Sequence, residues 1–121
     1  MTTILVVDDE FLVADVLVFA LEDEGYEVFR ASNGAKALEQ LARVPADLVI
    51  TDYMMPTMNG LELAEAIRAK DGAGAPPVIL MSGAQAHIAR RQGELFAAVF
   101  DKPFKVADFL ARVRDILDVA R

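Results

Sequence analysis

Short apolar runs rich in β-branched residues alternate along this chain with longer stretches whose apolar residues recur every three or four positions. Runs of the first kind are typical of buried strands, and the spacing of the second kind is typical of helices that pack on one face. The predicted strands are residues 3–7, 26–31, 48–51, 78–81 and 98–101. The predicted helices are residues 11–24, 33–43, 60–70, 85–95 (short or frayed) and 106–119.

The order of these elements indicates the fold class. Each strand is followed by a helix through a short connection, which predicts right-handed crossovers and a parallel sheet with helices on both faces. We therefore expect an α/β, doubly wound (βα)5 fold of the flavodoxin-like type, with a five-stranded parallel sheet in the order 2-1-3-4-5. In that order a ligand binds at the carboxyl ends of the strands, where strands 1 and 3 lie side by side.

The apolar spacing also predicts which side of two helices faces the sheet. Four residues of the second helix are expected to face the sheet: Ala35, Leu38, Leu41 and Ala42. Six residues of the last helix are expected to face the sheet: Val106, Phe109, Leu110, Val113, Ile116 and Leu117.

The composition limits the class of protein. Residues 1–121 are enough for one domain with a single core, and no second domain is expected after the last helix. The absence of cysteine excludes disulfides, thiol catalysis and cysteine-based metal sites. No apolar stretch has the length of a bilayer span and the first residues show no signal-peptide pattern, so a cytoplasmic location is expected.

The charge of the chain limits its partners. The formal net charge is −7 at pH 7, and the only adjacent basic pair is Arg90-Arg91. Nucleic acid and anionic membranes are bound by clustered Lys and Arg. We therefore expect neither nucleic acid nor membrane among the partners.

Carboxylates follow two of the predicted strands at the point where each strand ends. Asp8 and Asp9 come after the first strand, and Asp52 comes after the third. Three carboxylates at one edge of a sheet would repel one another and be costly to desolvate unless a hard cation lay among them. Each also has a simpler interpretation, since Asp8 or Asp9 could cap the following helix and Asp52 could open a turn.

A residue with a hydroxyl group follows the fourth predicted strand, and a residue with an ammonium group follows the fifth. Ser82 follows the fourth strand, where it could also cap a helix, and Lys102 follows the fifth. A lysine at the end of a buried strand needs a carboxylate partner, and Asp52 is the expected one. The Lys102–Pro103 bond is a candidate for the cis form. Carboxylates, a cation, a hydroxyl and an ammonium group together indicate a site for a phosphoryl group.

Four short motifs at these strand ends resemble those of the receiver domain of two-component response regulators, in particular the stand-alone, chemotaxis-regulator type. They are VVDDE at residues 6–10, DYMMP at 52–56 with Gly60, MSG at 81–83 and KPF at 102–104. Each motif is short, but all four occur in order on the expected strand ends. The resemblance covers residues 3–119.

The resemblance implies a phosphoryl-transfer role. Asp52 would be the phosphoacceptor, taking the group from a phosphohistidine on a histidine kinase or histidine phosphotransfer protein. Lys102 and Ser82 would bind the phosphoryl oxygens. The protein would be a phosphorelay signalling protein rather than an enzyme, switching the binding of an unknown downstream protein target through residues 85–95, the fifth strand and the last helix.

The resemblance also implies a Mg2+ site. Asp9, Asp52 and the backbone carbonyl of Met54 would ligate the ion directly, and Asp8 would act mainly through bound water. Met54 and Ala84, which lie two residues past the acceptor and the hydroxyl, are apolar and unable to orient a hydrolytic water. Slow loss of the phosphoryl group is therefore expected.

One position departs from the family pattern. The family usually carries an aromatic residue three positions before the lysine, where this chain has Val99, and the aromatic Phe100 comes one residue later. A shift of one residue places a strand side chain on the opposite face of the sheet. Phe100 is therefore not expected to replace the missing ring, and the usual coupling of the hydroxyl to an aromatic side chain is in doubt.

Three other functions fit parts of the pattern. A phosphatase of the haloacid-dehalogenase type would need a second acid two residues after its nucleophile, where Met54 lies. A flavin-binding module would need a phosphate-cradling loop where Asp8, Asp9 and Glu10 are found. A degenerate receiver could act as a scaffold independently of phosphorylation.

Overall fold

Five strands and four helices make up the part of the chain that the computed structural model describes, which is residues 1–83 and 95–120. The strands are β1 (Thr3–Val7), β2 (Glu27–Ala31), β3 (Leu48–Asp52), β4 (Val78–Ser82) and β5 (Ala98–Asp101). The helices are α1 (Phe11–Asp23), α2 (Gly34–Arg43), α3 (Gly60–Asp71) and α4 (Val106–Ala120). The helix predicted over residues 85–95 lies outside the described residues, except for its last position.

The strands form one parallel sheet in the order β2-β1-β3-β4-β5, which confirms the predicted topology. In its register Ile4 pairs with both Val28 and Leu48, and Ser82 pairs with Asp101. Every residue of β3 and β4 is buried, as expected for parallel strands that are covered on both faces. All carboxyl ends of the strands therefore meet at one edge.

The sheet divides the core into two clusters. Ile4 and Val6 of β1 point to the side covered by α1 and α4, whereas Leu5 and Val7 point to the side covered by α2 and α3. This alternation follows from the pleat of a strand, in which successive side chains point to opposite faces. A helix layer thus lies on each face, as predicted.

The prediction for the inward face of α4 is confirmed, and that for α2 is partly wrong. In α4 Phe109, Val113, Ile116 and Leu117 are buried, while Val106 and Leu110 are partly buried.

In α2 Leu38 and Leu41 are partly buried against the core, as predicted, whereas Ala35 and Ala42 are exposed. The buried residues of this helix are Gly34 and Ala37. The reason is that α2 begins against the loop before α3, since a Cβ on Gly34 would lie 2.5 Å from Sδ of Met58. Gly34 therefore faces inward, and Ala37 follows it on the same side three residues later.

Side-chain caps hold the start of α2 and α3. Oδ1 of Asn33 accepts a hydrogen bond from the backbone N–H of Lys36 at 2.8 Å. Asn59 and Glu62 form a reciprocal capping box, with bonds of 2.8 and 3.0 Å. These caps fix where the connections that follow β2 and β3 end.

The connection between α3 and β4 lies at the opposite edge of the sheet from the carboxyl ends. It contains an exposed 3-10 turn, Gly72–Gly74, followed by an extended segment that leads into β4. None of the described helices has the length and apolar character that a bilayer crossing requires.

Candidate functional site

Three carboxylates converge at the carboxyl ends of β1 and β3, as the sequence predicted. One oxygen each of Asp8, Asp9 and Asp52 lies within 4.8 Å of the others. Asp8 and Asp52 are only 5% and 4% exposed, whereas Asp9 is exposed to solvent. The convergence follows from the strand order, because β1 and β3 are hydrogen-bonded neighbours whose last residues reach the same edge.

The carboxylate of Asp8 is only half satisfied by hydrogen bonds. Its Oδ1 accepts from the backbone N–H of Glu10 at 2.9 Å, and its Oδ2 is buried with no hydrogen-bond partner among the described residues. Burial raises the pKa of Asp8 to about 6, and the negative charge of Asp52 adds to that effect. A positively charged ligand would stabilise a buried carboxylate whose second oxygen lacks a hydrogen-bond partner.

Helix α1 begins without a side-chain cap. Its N-cap residue is Glu10, whose side chain makes no cap hydrogen bond, so the alternative that Asp8 or Asp9 occupies the N-cap position is wrong. The bond from Glu10 to Asp8 shapes the turn before the helix instead.

Lys102 is the cationic partner of Asp52, as predicted. Its Nζ lies 2.9 Å from Oδ1 of Asp52, and the two side chains are 30% and 6% exposed. The same carboxylate oxygen accepts a bond from the backbone N–H of Tyr53 at 3.0 Å. The backbone of Lys102 is held by a bond from its N–H to the carbonyl of Ser82 at 2.8 Å, and the Lys102–Pro103 bond is cis, as the sequence suggested.

Ser82 ends β4 beside this ion pair. Its side chain is fully buried, and its Oγ has no hydrogen-bond partner among the described residues. The neighbouring strand position Met81 pairs with Asp52, so the hydroxyl lies one residue beyond the acidic group along the adjacent strand. The alternative role of Ser82 as a helix cap falls on residues outside the described part of the chain.

The connection between β3 and α3 is held close to the carboxylates. A Cβ on Gly60 would lie 2.5 Å from the backbone oxygen of Asp52 and 2.6 Å from Cδ1 of Leu80. The backbone N–H of Gly60 donates to the carbonyl of Tyr53 at 2.9 Å. Met54, between them, has an exposed side chain, and its carbonyl remains a predicted metal ligand.

Sequence reasoning missed one polar group near the site. The hydroxyl of Thr51 is fully buried and donates to the carbonyl of Asp52 at 3.0 Å. It thereby holds the backbone that carries the acidic side chain. The sequence could have indicated this residue, because Thr51 carries the one hydroxyl group in the otherwise apolar predicted strand 48–51.

Val99 and Phe100 lie on opposite faces of the sheet, as predicted. Val99 packs on the cluster beneath α2 and α3, whereas Phe100 packs on the cluster beneath α1 and α4. The ring of Phe100 lies 5.4 Å from that of Phe104 and 5.2 Å from that of Phe109. Phe100 therefore does not occupy the position of the missing ring.

The donor set suits a hard divalent cation. Three carboxylate oxygens lie near one another, one of them in a group with an unpartnered buried oxygen, and oxygen ligands of this kind are what Mg2+ binds. The ammonium group of Lys102 and the buried hydroxyl of Ser82 lie beside Asp52 on neighbouring strands, and a cation held by the carboxylates would add a second positive charge. This arrangement can neutralise the charge of a phosphoryl group at Asp52.

Comparisons with known proteins indicate the family of the chain. The family model described as the response regulator receiver domain matches residues 4–114. The sensory transduction protein RegX3 of Mycobacterium tuberculosis is 35% identical over 119 residues, which cover 97% of this chain and 51% of that protein. The chain thus spans about half the length of the curated relatives it matches.

Solved structures give the same result. A response regulator receiver domain protein from Clostridium thermocellum superposes with a TM-score of 0.85 at 27% identity, covering 98% of this chain and 95% of that one. The chemotaxis response regulator CheY4 of Vibrio cholerae superposes with a TM-score of 0.84 at 26% identity, covering 96% and 98%.

Proposed function

This chain belongs to the response regulator receiver domain family, and on that basis we propose that it accepts a phosphoryl group on Asp52. The family is a signalling domain, and its members interact with histidine kinases. The donor proposed here is a phosphohistidine of a histidine kinase or of a histidine phosphotransfer protein. Phosphorylation of Asp52 would then act as the signal.

The proposal is supported above all by the charged groups that lie around Asp52. Its carboxylate is buried, 2.9 Å from the ammonium group of Lys102, and within 4.8 Å of oxygens from two further carboxylates. A structural ion pair would need only the lysine. The additional carboxylates, and the hydroxyl of Ser82 that has no hydrogen-bond partner among the described residues, support a site that a cation and a further anionic group enter.

Receiver domains bind Mg2+ at an acidic pocket, and the carboxylates of this chain fit that ion. We propose that Asp9, Asp52 and the carbonyl of Met54 hold it directly, with Asp8 contributing mainly through water. When bound, Mg2+ supplies positive charge that offsets the charge on the phosphoryl oxygens. The unpartnered Oδ2 of Asp8 supports its participation.

The proposed reaction is an in-line transfer. A carboxylate oxygen of Asp52 attacks phosphorus, a P–O bond forms, the P–N bond to the histidine breaks, and the nitrogen keeps the electron pair. Lys102 and Ser82 bind the phosphoryl oxygens and hold the group in place. Because phosphoryl transfer depends mainly on position and charge neutralisation, these residues and the divalent ion would suffice without an additional acid or base.

The proposed output is altered protein binding. A phosphoryl group at Asp52 shifts the equilibrium between two conformations, and the surface made by residues 85–95, β5 and α4 engages or releases a protein target. We also propose that this domain itself contacts neither nucleic acid nor membrane, since its net charge is −7.

The test is phosphoryl uptake. The protein is incubated with Mg2+ and acetyl phosphate, and its intact mass is compared with that of the Asp52→Ala variant. We expect one phosphoryl adduct on the wild type and none on the variant. No adduct, or an adduct at another residue, would overturn the proposal, and continuous turnover of a generic phosphate ester would favour the phosphatase instead.

A further inference from the structure

The hydroxyl of Thr51 is a polar group in apolar surroundings. Thr51 is fully buried, and its neighbours in the sheet, Val7 of β1 and Leu80 of β4, belong to the core cluster beneath α2 and α3. Burying a hydroxyl there costs free energy unless it makes a hydrogen bond, and a valine of nearly the same shape would avoid that cost. The hydroxyl therefore indicates a role beyond packing.

This hydroxyl bonds to the residue proposed as the phosphoacceptor. Its Oγ1 donates to the backbone carbonyl of Asp52 at 3.0 Å. It also lies 3.9 Å from Sδ of Met55, which is only a weak acceptor. A Cβ on Gly60 would lie 2.5 Å from the same carbonyl oxygen, so the space around that oxygen is tight. Little room is left for a water to replace the hydroxyl.

The peptide unit that begins with this carbonyl also contacts the acidic side chain. Its N–H group belongs to Tyr53 and donates to Oδ1 of Asp52 at 3.0 Å and to the carbonyl of Met81 at 2.8 Å. Since a peptide unit is planar, a bond at its carbonyl limits the direction of its N–H group. Thr51 thus acts, through one rigid group, on the carboxylate oxygen that Lys102 contacts at 2.9 Å.

We propose that Thr51 is a positioning residue for phosphoryl transfer to Asp52. Its hydroxyl holds the peptide unit between Asp52 and Tyr53, and this unit holds the carboxylate in the orientation from which it attacks phosphorus. The effect on the rate rests on the proposed function. The hold on the peptide unit rests on the hydrogen bonds alone.

The geometry of the reaction makes this orientation important. The attacking oxygen must lie in line with the bond that breaks, and a small displacement of a reacting group slows such a step strongly. Thr51 carries no charge and is fully buried, so its contribution is to orientation and leaves the charges of the site unchanged.

The test compares Thr51→Val, which removes the hydroxyl, with Thr51→Ser, which keeps the hydroxyl and removes the methyl group. The full chain is incubated with acetyl phosphate and a large excess of Mg2+, and the initial rate of phosphoryl uptake is measured by intact mass. The P–O bond to Asp52 forms, the P–O bond to the acetyl group breaks, and acetate leaves. We expect Thr51→Val to be about tenfold slower than wild type and Thr51→Ser to stay within about twofold.

Urea unfolding separates positioning from stability. Thr51→Ser loses a buried methyl group, so its unfolding midpoint should fall although its rate is kept. A purely structural role would make the rates of the variants follow their midpoints. Thr3→Val, the same substitution at the other end of the sheet in β1, is the control and should change the rate by less than about twofold.

Amide exchange tests the hold on the peptide unit without metal or donor. In Thr51→Val the N–H group of Tyr53 should exchange about tenfold faster than in wild type, as followed by NMR. The reference is the N–H group of Val49 on the same strand, which donates to the carbonyl of Pro77 at 3.0 Å. General destabilisation would speed the exchange of both groups, whereas loss of the hold affects Tyr53 alone.

The outcomes separate this proposal from the proposed function. Equal rates of uptake by Thr51→Val and Thr51→Ser overturn the positioning role and leave the proposed function intact. Unchanged exchange of the Tyr53 amide in Thr51→Val overturns the hold on the peptide unit. If the wild type takes up no phosphoryl group, the proposed function fails together with the effect on the rate, and amide exchange still decides whether the hydroxyl holds the peptide unit.

Discussion

At the scale of single residues, Lys102 and the proposed metal ion act on the same negative charges. The ammonium group lies 2.9 Å from Asp52, within the group of three carboxylates that would hold the cation. Both positive charges help to bind a phosphoryl group, yet they repel each other. Removing the lysine should therefore change the two functions of the site in opposite directions.

The variant Lys102→Ala tests this opposition. Phosphoryl uptake from acetyl phosphate should slow on the order of 100-fold, because a positive group that binds the transferred oxygens is lost. The affinity for Mg2+ should rise by about threefold to tenfold, because a competing charge is removed. Intact mass against time measures the first quantity, and calorimetry measures the second.

Lys105→Ala is the matched control, since Lys105 is an exposed lysine on the same connection. It should leave both quantities nearly unchanged. If Lys102→Ala weakened Mg2+ binding, the charge competition described above would be wrong.

The raised pKa of Asp8 predicts how the stability of the protein depends on pH in the absence of metal. Its pKa is about 6 in the folded protein and 3.8 in the unfolded chain, chiefly because of burial. Between these values the folded state binds more protons, so the contribution of Asp8 to stability is full below about pH 4 and is lost as the pH rises through 6. The loss amounts to about 3 kcal/mol.

Urea unfolding of wild type and Asp8→Asn, in EDTA and from pH 4 to 8, isolates this effect. The variant should be the more stable protein at pH 7 by up to about 3 kcal/mol, and this advantage should shrink towards pH 4. Carboxylates other than the neighbouring Asp9 and Asp52 affect both proteins alike. A constant difference across the pH range would contradict the raised pKa.

Met54 bears on how long the phosphoryl group persists. Met54 lies two residues after Asp52 and is 59% exposed, and its thioether cannot orient a water for hydrolysis. Ala84, the other residue expected to slow hydrolysis, lies outside the described residues. Met54→Asn should shorten the lifetime of the adduct by about twofold to tenfold, because an amide can position water. Met54→Leu, which keeps an apolar side chain, should not, and the decay of the adduct mass decides between them.

At the scale of the elements, sequence patterns predicted the strands well because their apolar runs are continuous. The predicted and observed bounds of β1 and β5 are identical, and β3 and β4 each extend one residue further, to Asp52 and Ser82. Those added residues are polar, so hydrophobic patterning could not assign them to a strand. The hydrogen bonds of the parallel ladder place them there.

The inward side of α2 was harder to predict. Its alanines and leucines are spread around the helix, so Ala35 and Ala37 are equally plausible core residues from spacing alone. The choice is made by the contact of Gly34 with Met58, which lies on a distant loop. The convergence of Asp8 and Asp52 could be predicted because it follows from the strand order. That Oδ2 of Asp8 has no hydrogen-bond partner among the described residues could not be predicted, because it depends on tertiary packing.

The junction between β3 and α3 predicts a strong effect of adding one methyl group. Gly60→Ala should destabilise the protein by about 2–3 kcal/mol in urea unfolding, because its Cβ would contact the backbone of Asp52 and Tyr53 as well as Leu80. It should also slow phosphoryl uptake, since the carbonyl that contacts it belongs to the acceptor residue.

Gly74→Ala is the control for that change. A Cβ at Gly74 meets nothing within 4 Å among the described residues, and its effect on the free energy of unfolding should stay within about 0.5 kcal/mol. Equal effects of the two variants would show that loss of glycine flexibility, rather than the close contact, is responsible.

At the scale of the whole molecule, one sheet shares its strands between two core clusters, so the domain should unfold as one unit. The negative charge of the chain and the three carboxylates at one edge oppose that compact state. A divalent cation bound only by the folded protein should therefore stabilise the whole molecule.

Mg2+ at a hundredfold excess over its dissociation constant should raise the free energy of unfolding by about 2.7 kcal/mol. Sodium chloride at equal ionic strength controls for general screening and should give a smaller increase. Thermal unfolding of wild type and Asp9→Asn measures the specific part. If the variant gained as much from Mg2+ as the wild type, Asp9 would not be a ligand.

The turn at Gly72–Gly74 gives the molecule a second end that is free for engineering. The carboxylates, the lysine and the hydroxyl of the candidate site lie at the carboxyl ends of the strands, whereas this turn lies at their amino ends and is exposed. A fluorophore or affinity tag inserted there would stand a full strand length away from the acidic pocket. The fold thus offers an attachment point that leaves the surroundings of Asp52 undisturbed.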